Sequence, residues 1–184
     1  MKMIKHLGTI LLSLLIVNAA GVQATGPASG LAVGEATLSF TVLDVTGKYK
    51  GKRICYVCEY QDAPNILGFF QDTGDETAQL IVKLNDLYRS NKEKDLKAVA
   101  VIVSGTEASP WLEDLQRTSN IEIPMVVLKK GPKDVAVRMY HLDPAVKNTF
   151  LVNVNRTVKA NLTDIESDTF TRVSDATSAM LAAK

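Results

Sequence analysis

The chain has 184 residues, 46% apolar and 22% charged, which is the makeup of an ordinary globular protein with room for one substantial core. Its formal charge of +1 offers no basic surplus of the kind that nucleic-acid or anionic-membrane partners require. The first 24 residues read as a secretory leader, with Lys2 and Lys5 as its basic start, Leu7 to Val17 as its apolar middle and Val22-Gln23-Ala24 as a small-residue cleavage site. That apolar run is too short for a bilayer needing about 20 residues. Cleavage after Ala24 would leave 19 basic against 20 acidic residues and an extracytoplasmic protein, in a bacterial periplasm or secreted, with no membrane span.

Residues 25 to 35 are small and glycine-rich and read as a linker, with a domain expected over 36 to 184. Leu38, Phe40 and Val42 alternate within Ala36 to Val45, a strand pattern closed by Thr46-Gly47. The segment Arg53-Ile54-Cys55-Tyr56-Val57-Cys58-Glu59-Tyr60 follows, and Ile66 to Phe70 is a short buried-type strand. Thr73-Gly74-Asp75-Glu76 fits a capping box opening a helix whose inner face is Leu80, Ile81, Leu84, Leu87 and Tyr88. Ala98 to Val103 is a second buried strand. Ser109-Pro110 predicts an N-cap and first helical residue, with Trp111, Leu112 and Leu115 facing inward.

Pro124 to Leu128 is a third strand, Lys133 to Tyr140 a short helix, and Thr149 to Val154 a fourth strand. Asn155-Arg156 turns it back into Thr157 to Ala160, and Glu166 to Ala183 is a closing helix with Phe170, Val173, Thr177, Met180 and Leu181 on one side. Strands alternating with helices predict an α/β sandwich of three layers, a central mixed sheet covered by helices on both faces.

In that order the chain resembles the thioredoxin-like superfamily, and within it the redoxin branch of peroxiredoxins and exported thiol-disulfide reductases. Gly34-Glu35-Ala36 through Phe40-Thr41-Val42-Leu43-Asp44 is similar to that branch's opening hairpin. Ile66 to Phe70 with its helix resembles the first strand-helix pair of the core, Ile123-Pro124 to Asp143 an inserted strand-helix segment, and Thr149-Phe150-Leu151-Val152 the terminal strand pair. The resemblance implies a reactive cysteine at the start of the first core helix and a cis-proline just before the third core strand. Here the first place holds Thr73, Gly74, Asp75 and Glu76, and the second Lys147 or Asn148, with Pro124 and Pro144 elsewhere.

Both cysteines instead form Cys55-x-x-Cys58, ahead of the first core strand. In an oxidising compartment such a pair is expected as a disulfide. It serves either thiol-disulfide exchange with a protein thiol partner, with Cys55 as the attacking sulfur, or a structural staple in a non-catalytic binding or scaffold domain. Arg53 beside it would favour a thiolate, or is a solvated surface charge. A peroxidase is disfavoured by the sulfur-free helix start.

A copper set of Cys55, Cys58, Met139 and His141 has soft ligands, but Met139 reads as core and His141 as a loop residue, so no metal is expected. No phosphate loop or Ser-His-Asp set points to a cofactor or a hydrolase. Asp72, Asp75, Glu76 and Ser104-Gly105-Thr106 fall where a doubly wound sheet presents its crevice. Asn155-Arg156-Thr157 and Asn161-Leu162-Thr163 have the form of glycosylation acceptors.

Overall fold

The computed structural model describes residues 28–183, so the expected leader and its cleavage site lie outside the described residues. The strands are β1 (Val42–Asp44), β2 (Arg53–Ile54), β3 (Asn65–Phe70), β4 (Lys97–Ile102), β5 (Met125–Val127), β6 (Asn148–Val154) and β7 (Thr157–Thr163). The helices are α1 (Tyr56–Tyr60), α2 (Asp75–Asn91), α3 (Ser109–Ser119), α4 (Val135–Met139) and α5 (Thr171–Ala182).

All seven strands form one sheet in the order β2-β1-β5-β4-β3-β6-β7. β3, β4 and β5 run parallel, while β1, β6 and β7 each pair antiparallel with their neighbours. Beyond Asn65 and Lys97 at the strand starts, the parallel centre has no polar side chain, because it is covered on both sides.

Alternation of side chains sorts the core into two layers. Ile66, Phe70, Ala98, Ala100 and Ile102 face one layer with α2, α3 and α5. Leu67, Phe69, Val99 and Val101 face the other, with α1, α4 and the chain from Leu31 to Val42. Gly68 sits among rings: a Cβ there would meet Phe70 at 3.1 Å and Phe150 at 3.3 Å. The space it leaves lets Phe70 and Phe150 meet edge to face at 5.5 Å, and Phe150 then meets Phe170 at 5.8 Å.

The expected strand over Ala36 to Val45 shortens to β1. Ala36 makes a single bridge to Thr157 beside β7, and the chain then crosses the sheet face toward the other edge. Phe40 is buried on the way against Phe69 and Tyr140, at 5.8 and 5.0 Å. The Tyr140 hydroxyl donates to the Leu38 carbonyl at 2.6 Å. The alternation was real, but it packs a crossing segment onto a sheet.

The segment read as a linker is docked wherever it is described. Leu31 is buried, the Ser29 and Thr149 hydroxyls are 2.8 Å apart, and the Asn161 amide donates to the carbonyls of Ser29 and Leu31. That commitment of Asn161 fills one of the two acceptor-like sites with internal bonds. The capping expectations also change. Gly74 is the N-cap of α2 without a side-chain bond, α3 starts at Ser109 with Ala108 as its cap, and Glu76 accepts from the Ser167 amide instead of reaching back. The expected closing helix divides into a 3-10 turn at Ser167–Thr169 and α5, and the helix around Ala136 contracts to α4 after another such turn at Gly131–Lys133.

Burial holds Tyr140 in its neutral form, raising its pKa, with the hydrogen bond to Leu38 opposing slightly. Burial, reinforced by Asp44, does the same for Tyr56. Above pH ~10 the unfolded chain loses these protons while the folded chain keeps them, so stability present below pH ~10 should decline as pH rises. Tyr140→Phe should cost about 1 kcal/mol at neutral pH and flatten that alkaline decline. Urea titrations at pH 8 and above pH 10 check this; an unchanged slope would contradict it.

Candidate functional site

The two sulfurs are joined, Cys55 to Cys58, with their Cα atoms 5.2 Å apart, a spacing a disulfide accommodates. The pair sits at the start of α1, a helix of five residues too short to hold itself together. Its stability comes from outside. Tyr56 and Val57 are buried in the second apolar layer, and the Tyr60 hydroxyl donates to the Ala98 carbonyl at 2.7 Å.

The Tyr56 hydroxyl donates to the Asp44 carboxylate at 2.7 Å, and the same carboxylate accepts the amides of Gly47 and Tyr49 at 2.7 and 2.8 Å. Asp44 has 0% exposure, so this buried charge is met by three donors. Gly47 is required by close approach, because a Cβ there would lie 2.5 Å from the Tyr56 hydroxyl and 2.7 Å from Pro124. Sequence reasoning passed over Asp44. Its signal was Asp44-Val45-Thr46-Gly47, an aspartate followed three residues later by glycine, as in a tight turn.

The two sulfurs differ. Cys55 is the N-cap of α1 and half-buried, and its Sγ accepts the backbone amide of Cys58 at 3.1 Å, an amide it shares with the Cys55 carbonyl at the same distance. Cys58 is exposed. The Ser39 Oγ lies 3.4 Å from Cys58 Sγ; a disulfide sulfur carries no proton, so the serine hydroxyl is the donor. Cys55 was expected as the attacking sulfur, yet the second cysteine of the pair is the more exposed. The phase of α1 turns Cys58 outward and Cys55 toward the apolar layer. Arg53, on the edge strand β2, is exposed.

The crevice expected at the carboxyl end of the sheet is a separate place. About 790 Å3 in volume, it is walled by Asp72, Asp75 and Glu76 on one side and by Lys147 and Asn148 on the other. These are the positions at which the resemblance implied a cysteine and a proline, and the fold does bring them together. No sulfur is present there. Asp72 accepts from the Gly74 amide and the Thr77 hydroxyl, at 3.2 and 2.8 Å, while Ser104-Gly105-Thr106 contribute nothing to the lining.

The disulfide borders the layer opposite α2. The β2 edge lies four strand positions from β3, about 19 Å at ~4.8 Å per strand. Met139 packs against the second apolar layer and His141 is exposed, and among the described residues no cluster of three or more His, Cys, Asp or Glu side chains could hold a metal ion. Among the described residues, no helix is long and apolar enough to cross a membrane.

No family model matches the chain, and no curated protein matches it. Solved structures do. A peroxidoxin, BcpB, from Mycobacterium tuberculosis aligns with a TM-score of 0.63 and 17% identity over 82% of this chain and 96% of its own. A candidate thiol:disulfide interchange protein, DsbE, from Chlorobium tepidum aligns at 0.65 and 16% over 82% and 99%. The thioredoxin domain of a thiol-disulfide oxidoreductase from Bacteroides vulgatus aligns at 0.59 and 12% over 79% and 96%. The fold is thioredoxin-like, of the kind shared by peroxiredoxins and thiol-disulfide oxidoreductases.

Asp44→Ala strands two backbone amides and a tyrosine hydroxyl and should destabilise the protein by about 2–4 kcal/mol, with faster amide exchange over residues 47 to 60. Denaturant unfolding and hydrogen exchange check this. Unaltered exchange in that segment would show that α1 does not depend on the carboxylate.

Proposed function

We propose that the protein is an exported thiol-disulfide oxidoreductase working through Cys55 and Cys58 on a protein thiol or disulfide, with Cys58 as the exchanging sulfur. The observation that carries this reading is the asymmetry of the pair. Cys58 is open to an incoming thiolate, while Cys55 has the amide of Cys58 aimed at its sulfur. An attack on Cys58 Sγ expels Cys55 as a thiolate, and an amide already pointed at that atom stabilises the leaving charge. In the reducing direction the same groups act in reverse: Cys58 attacks a substrate disulfide and Cys55 resolves the mixed disulfide.

Support for export comes from the leader-like first 24 residues, and a disulfide suits an oxidising compartment. The sulfur-free crevice beside Asp75 gives no support to a peroxidase, which would need its reactive cysteine there.

A second reading has its own observation. Cys55 is packed against the apolar layer and the pair closes the start of α1, so the disulfide would serve as a staple in a binding or scaffold domain. Equilibration with glutathione buffers, together with insulin-reduction turnover, separates the two. Exchange chemistry predicts a potential above about −300 mV, with turnover abolished in Cys58→Ser. A potential below about −300 mV without turnover would overturn the oxidoreductase reading and leave the staple.

A further inference from the structure

A groove of about 450 Å3 is lined by Ser39, whose hydroxyl lies 3.4 Å from the exposed sulfur. One border is the extended segment Ser39–Thr41, whose Ser39 hydroxyl meets Cys58; the others come from Arg53 of β2 and from Lys129, Lys130 and Val135 beyond β5. Ser39 therefore links the groove to the exchanging sulfur, which is not itself part of the lining.

Three features of its lining favour one class of occupant. Ser39, Phe40 and Thr41 make no backbone-to-backbone hydrogen bond among the described residues, so this border has main-chain groups that no other main chain pairs. An added extended chain is what such a border can pair with. Arg53, Lys129 and Lys130 are exposed and form no ion pair among the described residues. The one carboxylate in the lining, Asp134, is engaged by the amides of Ala136 and Lys130. Val135, 51% exposed, adds an apolar surface beside these charges. Three unpaired cations against one internally bonded carboxylate give the groove a positive field, in a chain whose overall charge is only +1.

The geometry points to a docking groove for an extended, acidic polypeptide segment that carries the thiols exchanged with Cys58. This assignment rests on the exchange reading above. The substrate's backbone pairs along Ser39–Thr41, its carboxylates face Arg53, Lys129 and Lys130, and an apolar side chain covers Val135. Its first thiolate attacks Cys58 Sγ; the Cys55–Cys58 bond breaks, and the electron pair leaves on Cys55. A second thiolate of the same substrate attacks the substrate sulfur of the mixed disulfide and releases Cys58. Two substrate thiols become one disulfide, and the two electrons and two protons pass to Cys55 and Cys58.

The test uses the oxidised protein over residues 25–184 and two synthetic dodecapeptides of identical apolar sequence. Each contains two cysteines, flanked by Asp and Glu in one peptide and by Lys in the other. Stopped-flow measurement of peptide oxidation at low ionic strength should favour the acidic peptide by about tenfold or more, with the advantage shrinking at 0.5 M salt. The exposed double variant Lys129→Glu/Lys130→Glu should lose or invert the preference, while its reaction with 2-mercaptoethanol at 0.5 M salt, where the field on the attacking thiolate is screened, stays unchanged, which shows that its fold and disulfide are intact. Equal rates for both peptides would overturn the groove and leave exchange standing. No oxidation of either peptide, with no reaction of 2-mercaptoethanol, would overturn the exchange reading and the groove with it. A preference for the acidic peptide that survives the double variant would place the discrimination outside the groove and overturn the peptide assignment.

Discussion

The buried carboxylate of Asp44 ties the β1–β2 turn to the helix that carries both sulfurs. Two of its donors are turn amides and the third is the hydroxyl of Tyr56, the residue between the N-cap cysteine and the rest of α1. A five-residue helix has almost no stability of its own, because nucleation costs more than its few hydrogen bonds return. Burying Tyr56 and Val57 contributes on the order of 1.5–3 kcal/mol each, but such burial is not directional. The hydrogen bond to Asp44 supplies direction, fixing the rotation of α1 and therefore which sulfur faces solvent.

The thioredoxin-like fold normally provides for redox chemistry at the start of α2, and here that place is a carboxylate-lined crevice facing Lys147 and Asn148. The cysteines lie instead at the β2 edge, against the other apolar layer. Some local features suited to thiol exchange are rebuilt there on a different helix: an N-cap cysteine, an amide aimed at its sulfur, and a second cysteine one turn later. Of the two, the second cysteine is the outward one. The fold alone therefore assigns no chemistry to this chain, which has to be argued from the pair itself.

Much of the architecture was legible because it is written in composition. Asn65–Phe70 and Asn148–Val154 are buried throughout and Lys97–Ile102 is buried beyond its first residue, and their apolar runs announced them. α2 showed its inner face through Leu80, Ile81 and Leu84. What stayed hidden depends on partners distant in sequence. α1 is too short to display a period, so neither its existence nor its phase could be read, and with the phase went the exposure of Cys58. The alternation of Leu38, Phe40 and Val42 looked the same for a paired strand as for a chain laid across a sheet. Glu76 had the spacing of a capping box, yet the Ser167 amide, 91 residues away, takes its carboxylate. The groove beside Cys58 joins residues 39, 53, 129, 130 and 135, a set that only the sheet order assembles.

The central claim is that Cys58 is the exchanging sulfur and Cys55 the leaving one. Its most direct test is to treat the single variants Cys55→Ser and Cys58→Ser with an uncharged aromatic disulfide and to follow mixed-disulfide formation by mass spectrometry. The thiol of Cys58, in Cys55→Ser, should react roughly tenfold or more faster than the thiol of Cys55 in Cys58→Ser, because Cys58 is the exposed sulfur and access sets the rate of exchange. Equal rates, or a faster Cys55, would contradict it.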